Sequence, residues 1–91
     1  MDTIKELYQT IQTRSKADPE SSYTARLFQA GEDEIVKKIG EEAIEVVLAT
    51  KQEKQRLIEE VCDLTYHTLV LLAQQGISLD DIVNELNRRK K

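Results

Sequence analysis

Two acidic segments decide the fold of this chain: Lys37-Lys38-Ile39-Gly40-Glu41-Glu42-Ala43-Ile44-Glu45 and Glu60-Val61-Cys62-Asp63. Each contains a pair of acids at i,i+3 spacing, and residues three apart are neighbours on one face of a helix. Two such helices packed side by side would bring four carboxylates together. Their mutual repulsion would raise their pKa values and cost stability. A hard divalent ion, which prefers oxygen ligands, is the simplest compensating group.

Composition predicts a single all-α domain spanning residues 1–91. Helix-forming residues dominate, and three Gly and one Pro are few for this length. A chain this short buries only about 60% of its unfolded surface, so association is an effective way to complete the core. The net charge of −4 argues against binding a nucleic-acid polymer. We expect a cytoplasmic protein, because no signal peptide or membrane-spanning run is visible and Cys62 has no partner for a disulfide. Its apolar neighbours indicate that Cys62 is a small core residue.

Helix signals recur along the chain and predict a bundle of about four helices. We expect helices from about Thr3 to Ser15, from Glu32 to Ala49, from just after Thr50 to Gln75, and from Ser78 into the basic tail, with a further short helix between Ser22 and Ala30. Capping boxes are predicted at Thr3/Glu6, Thr50/Glu53 and Ser78/Asp81. The short connection after Ala49 makes the two acidic helices antiparallel neighbours. The segment 69–73 is apolar on every side and must be buried on every side, so we expect a homodimer to cover it.

The apolar residues of the two acidic helices define a buried seam. On the first helix they are Ile35, Val36, Ile39, Ala43, Val46 and Val47, and on the second Leu57, Val61, Leu64, Thr68, Leu71 and Leu72. Glu42, Glu45, Glu60 and Asp63 border this seam. Charged residues flanking a seam often form ion pairs between helices, but the second helix offers no equally placed basic partners. From spacing alone, a metal site and a solvated charged face both remain open.

Other polar residues near the seam have two interpretations each. Lys37 and Lys38 either pair with Glu41 and Glu42 at i,i+4 or bind phosphate, and Arg26 is a further phosphate candidate. His67 is either a hydrogen-bonded core residue or a ligand. Tyr23 and Phe28 are packing residues or aromatic surfaces for a base or ribose.

The pattern Glu41-Glu42-x-x-Glu45 followed by Glu60-x-x-Asp63 resembles the all-α nucleoside triphosphate pyrophosphohydrolases, which include MazG-like proteins and dimeric dUTPases. A wider set of residues resembles the phosphoribosyl-ATP pyrophosphohydrolase family more specifically. This set is Ser22-Tyr23-Thr24, Gly31, Lys37-Lys38-x-Gly40-Glu41-Glu42-Ala43-x-Glu45, Asp63-Leu64-x-Tyr66-His67, and Glu85-Leu86 with Arg88. The resemblance extends from about Ile4 to Arg89 and looks like the form without a fused cyclohydrolase.

The resemblance implies Mg²⁺-dependent hydrolysis of phosphoribosyl-ATP to phosphoribosyl-AMP and pyrophosphate, the second step of histidine biosynthesis. By the same resemblance, the metal ligands are Glu42, Glu45, Glu60 and Asp63. The catalytic acids are Glu41, Glu42 and Glu45, and the phosphate ligands are Lys37, Lys38 and Arg26. Tyr23, Thr24 and His67 are further candidates, either for contact with the substrate or for support of the residues around it. Two alternatives remain. One is a MazG-like pyrophosphatase for other nucleoside triphosphates, and the other is a non-catalytic helical dimerisation module.

Overall fold

The computed structural model describes residues 2–90, and they form five α-helices joined by short loops. The helices are α1 (Asp2–Arg14), α2 (Tyr23–Ala30), α3 (Glu32–Ala49), α4 (Lys54–Gln75) and α5 (Leu79–Arg89). No strand occurs among these residues, which confirms the predicted all-α class. The short segment before Gly31 is a complete helix, so the count is five. Within the same residues, no helix combines the length and hydropathy required to cross a bilayer.

The two acidic helices, α3 and α4, form an antiparallel hairpin. At its open end, the side-chain amide of Gln75 donates to the Glu32 carboxylate at 2.8 Å. At its closed end, the Thr50 hydroxyl donates to the Val47 carbonyl at 2.8 Å, and α4 begins only after Glu53, its N-cap residue. The predicted capping box at Thr50 is therefore wrong. A threonine hydroxyl next to a helix C-terminus can bond a preceding carbonyl of that helix instead of capping the next one.

Of the other predicted helix starts, one is wrong and two are confirmed. Helix α1 begins at Asp2, so Thr3 lies inside the helix and does not cap it. Ser22 is the N-cap of α2, and its hydroxyl accepts from the backbone N–H of Ala25 at 3.1 Å. At α5 the capping box is complete: the Ser78 hydroxyl accepts from the Asp81 N–H, and the Asp81 carboxylate accepts from the Ser78 N–H.

The turn from α4 to α5 is held by its own backbone conformation and by a hydrogen bond from α1. Gly76 ends α4 with φ of 72°, a left-handed conformation that glycine adopts without a side-chain clash. The following N–H, of Ile77, donates to the Leu72 carbonyl at 2.9 Å. The Tyr8 hydroxyl of α1 donates to the Ile77 carbonyl at 2.5 Å, which anchors the turn to α1.

The buried core draws on the first four helices. Its members are Tyr8, Ile11, Leu27, Ile35, Leu69 and Val70. Leu69 and Val70 belong to the apolar segment for which we predicted cover by a second subunit. Both are buried within the single chain, where α1 packs against α4. Leu71, Leu72 and Ala73 are partly buried against the same core, so the single chain covers much of this segment, and the homodimer stays a prediction.

Several apolar side chains of the predicted seam are exposed instead. Val36, Val47 and Val61 are 48%, 67% and 44% exposed, and Thr68 is also exposed. Cys62, predicted to be a core residue, is exposed. The contact between α3 and α4 occupies a narrower arc of each helix than the apolar pattern does. Side chains about 100° away from that contact, measured around the helix axis, therefore face outward in the single chain.

Candidate functional site

Three carboxylates meet where α3 and α4 pack together. The side chains of Glu42, Glu60 and Asp63 each offer one oxygen, and these oxygens all lie within 4.8 Å of one another. We call these three residues the acidic cluster. Glu42 comes from α3 and the other two from successive positions on one face of α4. The i,i+3 spacing on α4 and the antiparallel hairpin together produce this convergence.

Glu60 is the buried member of the acidic cluster, with 4% of its surface exposed. Burial raises the pKa of the Glu60 carboxyl because it disfavours the charged form, whereas the guanidinium of Arg56, 3.6 Å away, lowers it. A hydrogen bond to Asp63 and the negative charges of Asp63 and Glu42 raise the pKa further. The carboxylate is therefore held beside like charges in a place with little water.

Arg56 is a residue that the sequence reasoning missed. It lies on α4 and pairs with Glu59 at 3.3 Å and with Glu60 at 3.6 Å. The i,i+4 spacing from Arg56 to Glu60 was the available signal. Our statement that the second acidic helix offers no basic partner was therefore wrong for Glu60. One exposed guanidinium does not balance three carboxylates, so the acidic cluster still carries excess negative charge.

The donor set of the acidic cluster fits a magnesium ion. Mg²⁺ takes oxygen ligands at 2.0–2.1 Å in near-octahedral geometry, which puts opposite ligands about 4.2 Å apart. Neighbouring ligands in that geometry lie about 3 Å apart, so the three oxygens, which lie within 4.8 Å of one another, would have to draw closer together around a bound ion. The partly buried position of Glu42 and the exposure of Asp63 leave one side of the cluster open to solvent and ligands.

The two other acids of the motif lie outside the acidic cluster. Glu45, one turn beyond Glu42 on α3, is exposed. Glu41 is also exposed and pairs with Lys38 at 3.8 Å. The predicted roles of Glu45 as a ligand and of Glu41 as a catalytic acid remain predictions.

The predicted phosphate ligands occupy different surroundings. Lys38 is partly buried and acts electrostatically on the hydroxyl of Tyr23, which also feels the charge of Glu42, so these three side chains border one region. Lys37 is exposed on α3. Arg26 donates to the Pro19 carbonyl at 2.8 Å and lies 5.8 Å from the centre of the Tyr23 ring. Arg26 is thus held at the α2 side of this region.

Tyr23, Thr24 and His67 connect α2 to α4 beside the acidic cluster. The Tyr23 hydroxyl lies 2.9 Å from Nε2 of His67, and Nδ1 of His67 lies 2.8 Å from the backbone carbonyl oxygen of Asp63. The Thr24 hydroxyl is bonded to that of Tyr66, whose ring stacks against Tyr23 at 6.1 Å. His67 is therefore a buried, hydrogen-bonded histidine. The sequence reasoning did not identify Tyr66 as the partner of Thr24.

Comparison with known proteins identifies the family. A family model described as phosphoribosyl-ATP pyrophosphohydrolase matches residues 4–90. A phosphoribosyl-ATP pyrophosphatase of Clostridium novyi is 49% identical over 92 residues, covering 100% of this chain and 84% of the relative. One of Listeria monocytogenes is 53% identical over 87 residues, covering 96% and 84%. A histidine biosynthesis bifunctional protein of Pyrococcus furiosus is 52% identical over 88 residues, covering 97% of this chain and 41% of that protein. The resemblance seen in the sequence is confirmed, and this chain belongs to the phosphoribosyl-ATP pyrophosphohydrolase family.

Proposed function

We propose that this protein hydrolyses phosphoribosyl-ATP to phosphoribosyl-AMP and pyrophosphate, with Mg²⁺ held by the acidic cluster. The observation that carries the proposal is the convergence of Glu42, Glu60 and Asp63 within 4.8 Å in a chain of this family. The relatives' names state the same substrate and place the reaction in histidine biosynthesis.

The acidic cluster requires a cation before it can accept a triphosphate, because both are negatively charged. Mg²⁺ held by Glu42, Glu60 and Asp63 would neutralise phosphate oxygens, polarise phosphorus and orient the attacking water. The residues of this chain supply the positioning. Glu60 is fixed by burial and by Arg56, and Glu42 and Asp63 are held on rigid helices. Hydrolysis of a phosphoanhydride depends mainly on such positioning and charge stabilisation, so no covalent nucleophile is needed.

We assign roles to the remaining motif residues from their positions around the acidic cluster. Glu45 has a solvated side chain one turn from Glu42, and we assign it as a further ligand that closes on the ion. Glu41 is the additional acid, acting on the attacking water or on a ligand. Lys38, and after it Lys37, contact the phosphates, and Lys38 must then leave its exposed pair with Glu41. That exchange is cheap because an exposed pair contributes only about 0–1 kcal/mol.

The decisive experiment measures pyrophosphate release with phosphoribosyl-ATP and with ordinary nucleoside triphosphates, with and without Mg²⁺. We expect Mg²⁺-dependent release from phosphoribosyl-ATP. Release restricted to ordinary triphosphates would instead favour a MazG-like pyrophosphatase, and no release from either would favour a non-catalytic helical module. Glu42→Gln and Asp63→Asn should abolish turnover while the helical circular dichroism spectrum stays unchanged. Glu59→Gln, an exposed acid of α4 outside the cluster, is the matched control.

We also propose that the protein acts as a homodimer. Outward-facing apolar side chains lie on α3, α4 and α5; they are Val36, Ile44, Val47, Leu48, Ile58, Val61, Ile82, Val83 and Leu86. Helix α5 has no buried residue in the single chain. Exposed large apolar side chains in this number are typical of proteins that associate, and closed homodimers are the most frequent assemblies. Light scattering after size exclusion tests the proposal, and a monomer at micromolar concentration would contradict it.

A further inference from the structure

The first turn of α2 is tied to α4 by two neighbouring side-chain hydrogen bonds. Tyr23 bonds to His67, and the next residue along, Thr24, bonds to Tyr66. Both bonds are partly buried and join the same two helices. Only the first is linked to the acidic cluster, because His67 also bonds the backbone of Asp63. The two bonds therefore form a matched pair in which one member borders the site.

The direction of the first bond follows from the chemistry of its partners. A backbone carbonyl oxygen only accepts, so the 2.8 Å contact with Asp63 requires a proton on Nδ1 of His67. In the neutral ring, Nε2 then carries a lone pair and accepts a hydrogen bond from the Tyr23 hydroxyl. The chain of donation runs from Tyr23 to His67 and from His67 to Asp63. The histidine is only 8% exposed, so water competes little for either contact.

Tyr23 itself is at the rim of the site. It is 41% exposed, although its hydroxyl is bonded to a buried histidine. Lys38 and Glu42 are near enough for their charges to act on that hydroxyl. Since the hydroxyl is engaged with His67 and the ring also stacks against Tyr66, a ligand can reach only the exposed part of the Tyr23 ring, which lies beside the guanidinium of Arg26. Aromatic rings bind nucleobases by stacking.

We propose that His67 is a positioning residue that acts through Tyr23, holding its ring at the rim of the acidic cluster as a contact for the nucleoside part of the substrate. The inference rests on the proposed function for the identity of that substrate. A ring oriented before binding loses less side-chain freedom when the ligand arrives, so the orientation contributes to affinity. His67 contacts neither the phosphates nor the ion in this proposal. Replacing His67 should therefore change KM and leave kcat nearly unchanged.

The tautomer can be measured without substrate. The chain contains one histidine, so nitrogen-15 NMR of the imidazole reports on His67 alone. We expect the Nδ1–H tautomer in the wild type, and the same tautomer in Tyr66→Phe. An Nε2–H ring would overturn the proposal, because it cannot accept a hydrogen bond from Tyr23 while donating to the Asp63 carbonyl.

Kinetics on phosphoribosyl-ATP separate positioning from simple stabilisation. In His67→Asn the amide replaces Nδ1 and still donates to Asp63, but it does not reach Tyr23. In His67→Gln the amide oxygen can take the position of Nε2 and accept a hydrogen bond from the Tyr23 hydroxyl. We expect His67→Asn and Tyr23→Phe each to raise KM about three- to tenfold, as for a lost hydrogen bond, with little change in kcat. His67→Gln should recover most of the loss, and the double variant should be no worse than either single one.

Tyr66→Phe is the matched control, because it removes the neighbouring hydrogen bond between the same helices and keeps the ring. We expect its KM to equal that of the wild type even if its melting temperature falls. An equal rise of KM in Tyr66→Phe and His67→Asn, or additive effects of His67→Asn and Tyr23→Phe, would overturn the positioning role. A wild-type protein inactive on phosphoribosyl-ATP would instead overturn the proposed function, so the two failures are distinguishable.

Discussion

Replacing Glu42 by Gln should make the protein more stable than the wild type without metal and less stable than the wild type with bound Mg²⁺. Glu42 is the one member of the acidic cluster supplied by α3, and its carboxylate lies within 4.8 Å of that of Asp63. Two unit charges at this distance repel by about 1 kcal/mol in water and about 3.5 kcal/mol at an effective dielectric constant of about 20. Because Glu42 is only partly buried and Asp63 is exposed, the lower figure applies. In EDTA the variant should therefore be more stable by about 1 kcal/mol.

Magnesium should stabilise the wild type by a larger amount. At a free concentration one hundred times its Kd, a ligand that binds only the folded state adds about 2.7 kcal/mol. For a domain of this size, each kcal/mol raises Tm by about 4–8 °C, so the wild-type shift should be about 10–20 °C. Losing one ligand that weakens binding tenfold or more removes about 1.4 kcal/mol or more of this gain. The Glu42→Gln shift should then be half that of the wild type or less.

The assay is thermal unfolding followed by circular dichroism at one protein concentration, in EDTA and across a Mg²⁺ titration at constant ionic strength. Glu59→Gln removes the same charge from an exposed acid beside the cluster and should keep the full Mg²⁺ shift. The reasoning fails if Glu42→Gln keeps that shift as well. It also fails if Glu42→Gln melts below the wild type in EDTA, because the carboxylates would then not repel one another in the metal-free protein.

Three further predictions address the assembly, the pH dependence and the core. Val47→Asp places a charge on an exposed apolar position and should yield a monomer by light scattering, whereas Thr10→Asp on exposed α1 surface should not. The pKa of Glu60 in the folded protein is raised above its ordinary value of 4.5. The metal-free protein should therefore lose stability as the pH rises through the interval between the ordinary and the raised pKa. Over the same interval calorimetry should show Mg²⁺ binding weaken as pH falls, since protons then compete for the carboxylate. Ile35→Val, at a fully buried position, should lower the free energy of unfolding by about 0.5–1.5 kcal/mol in urea titrations, with an unchanged m-value.

Local sequence rules predicted the helices well because helix formation depends on near neighbours. Ser22, Ser78 and Gly76 mark real helix ends, since their side chains or left-handed conformations act within one turn. The two failed capping boxes have the same pattern of residues. At Thr50 the hydroxyl has a competing acceptor behind it, the Val47 carbonyl. A one-dimensional motif does not record which of two neighbouring helix ends will use the hydroxyl.

The acidic cluster was predictable because its geometry follows from spacing. Glu60 and Asp63 share a face of α4, and the short turn after α3 brings Glu42 opposite them. The contacts of Tyr23 with His67 and of Thr24 with Tyr66 join residues 44 and 42 positions apart. No periodicity encodes such pairs, since they depend on how α2 packs across α4. The sequence therefore indicated the three carboxylates that converge, but not the side-chain contacts that join α2 to α4 beside them.

The apolar pattern of α3 did not predict which of its apolar residues would be exposed in the single chain. Periodicity identified an apolar arc of about 120° on α3, wider than the strip one neighbouring helix covers. Within the chain, Ile35 is covered in the core that α3 shares with α1, α2 and α4, while Val36 and Val47 remain uncovered. The pattern thus identified the apolar positions of α3 correctly but was wrong that α4 buries all of them. Hydrophobicity specifies that a side chain is removed from water, and it does not specify which surface covers it. If a second copy supplies that surface, the face of α3 that borders the acidic cluster is held rigid from both sides. A monomeric Val47→Asp variant should then lose turnover as well as assembly, although Val47 is not a member of the cluster.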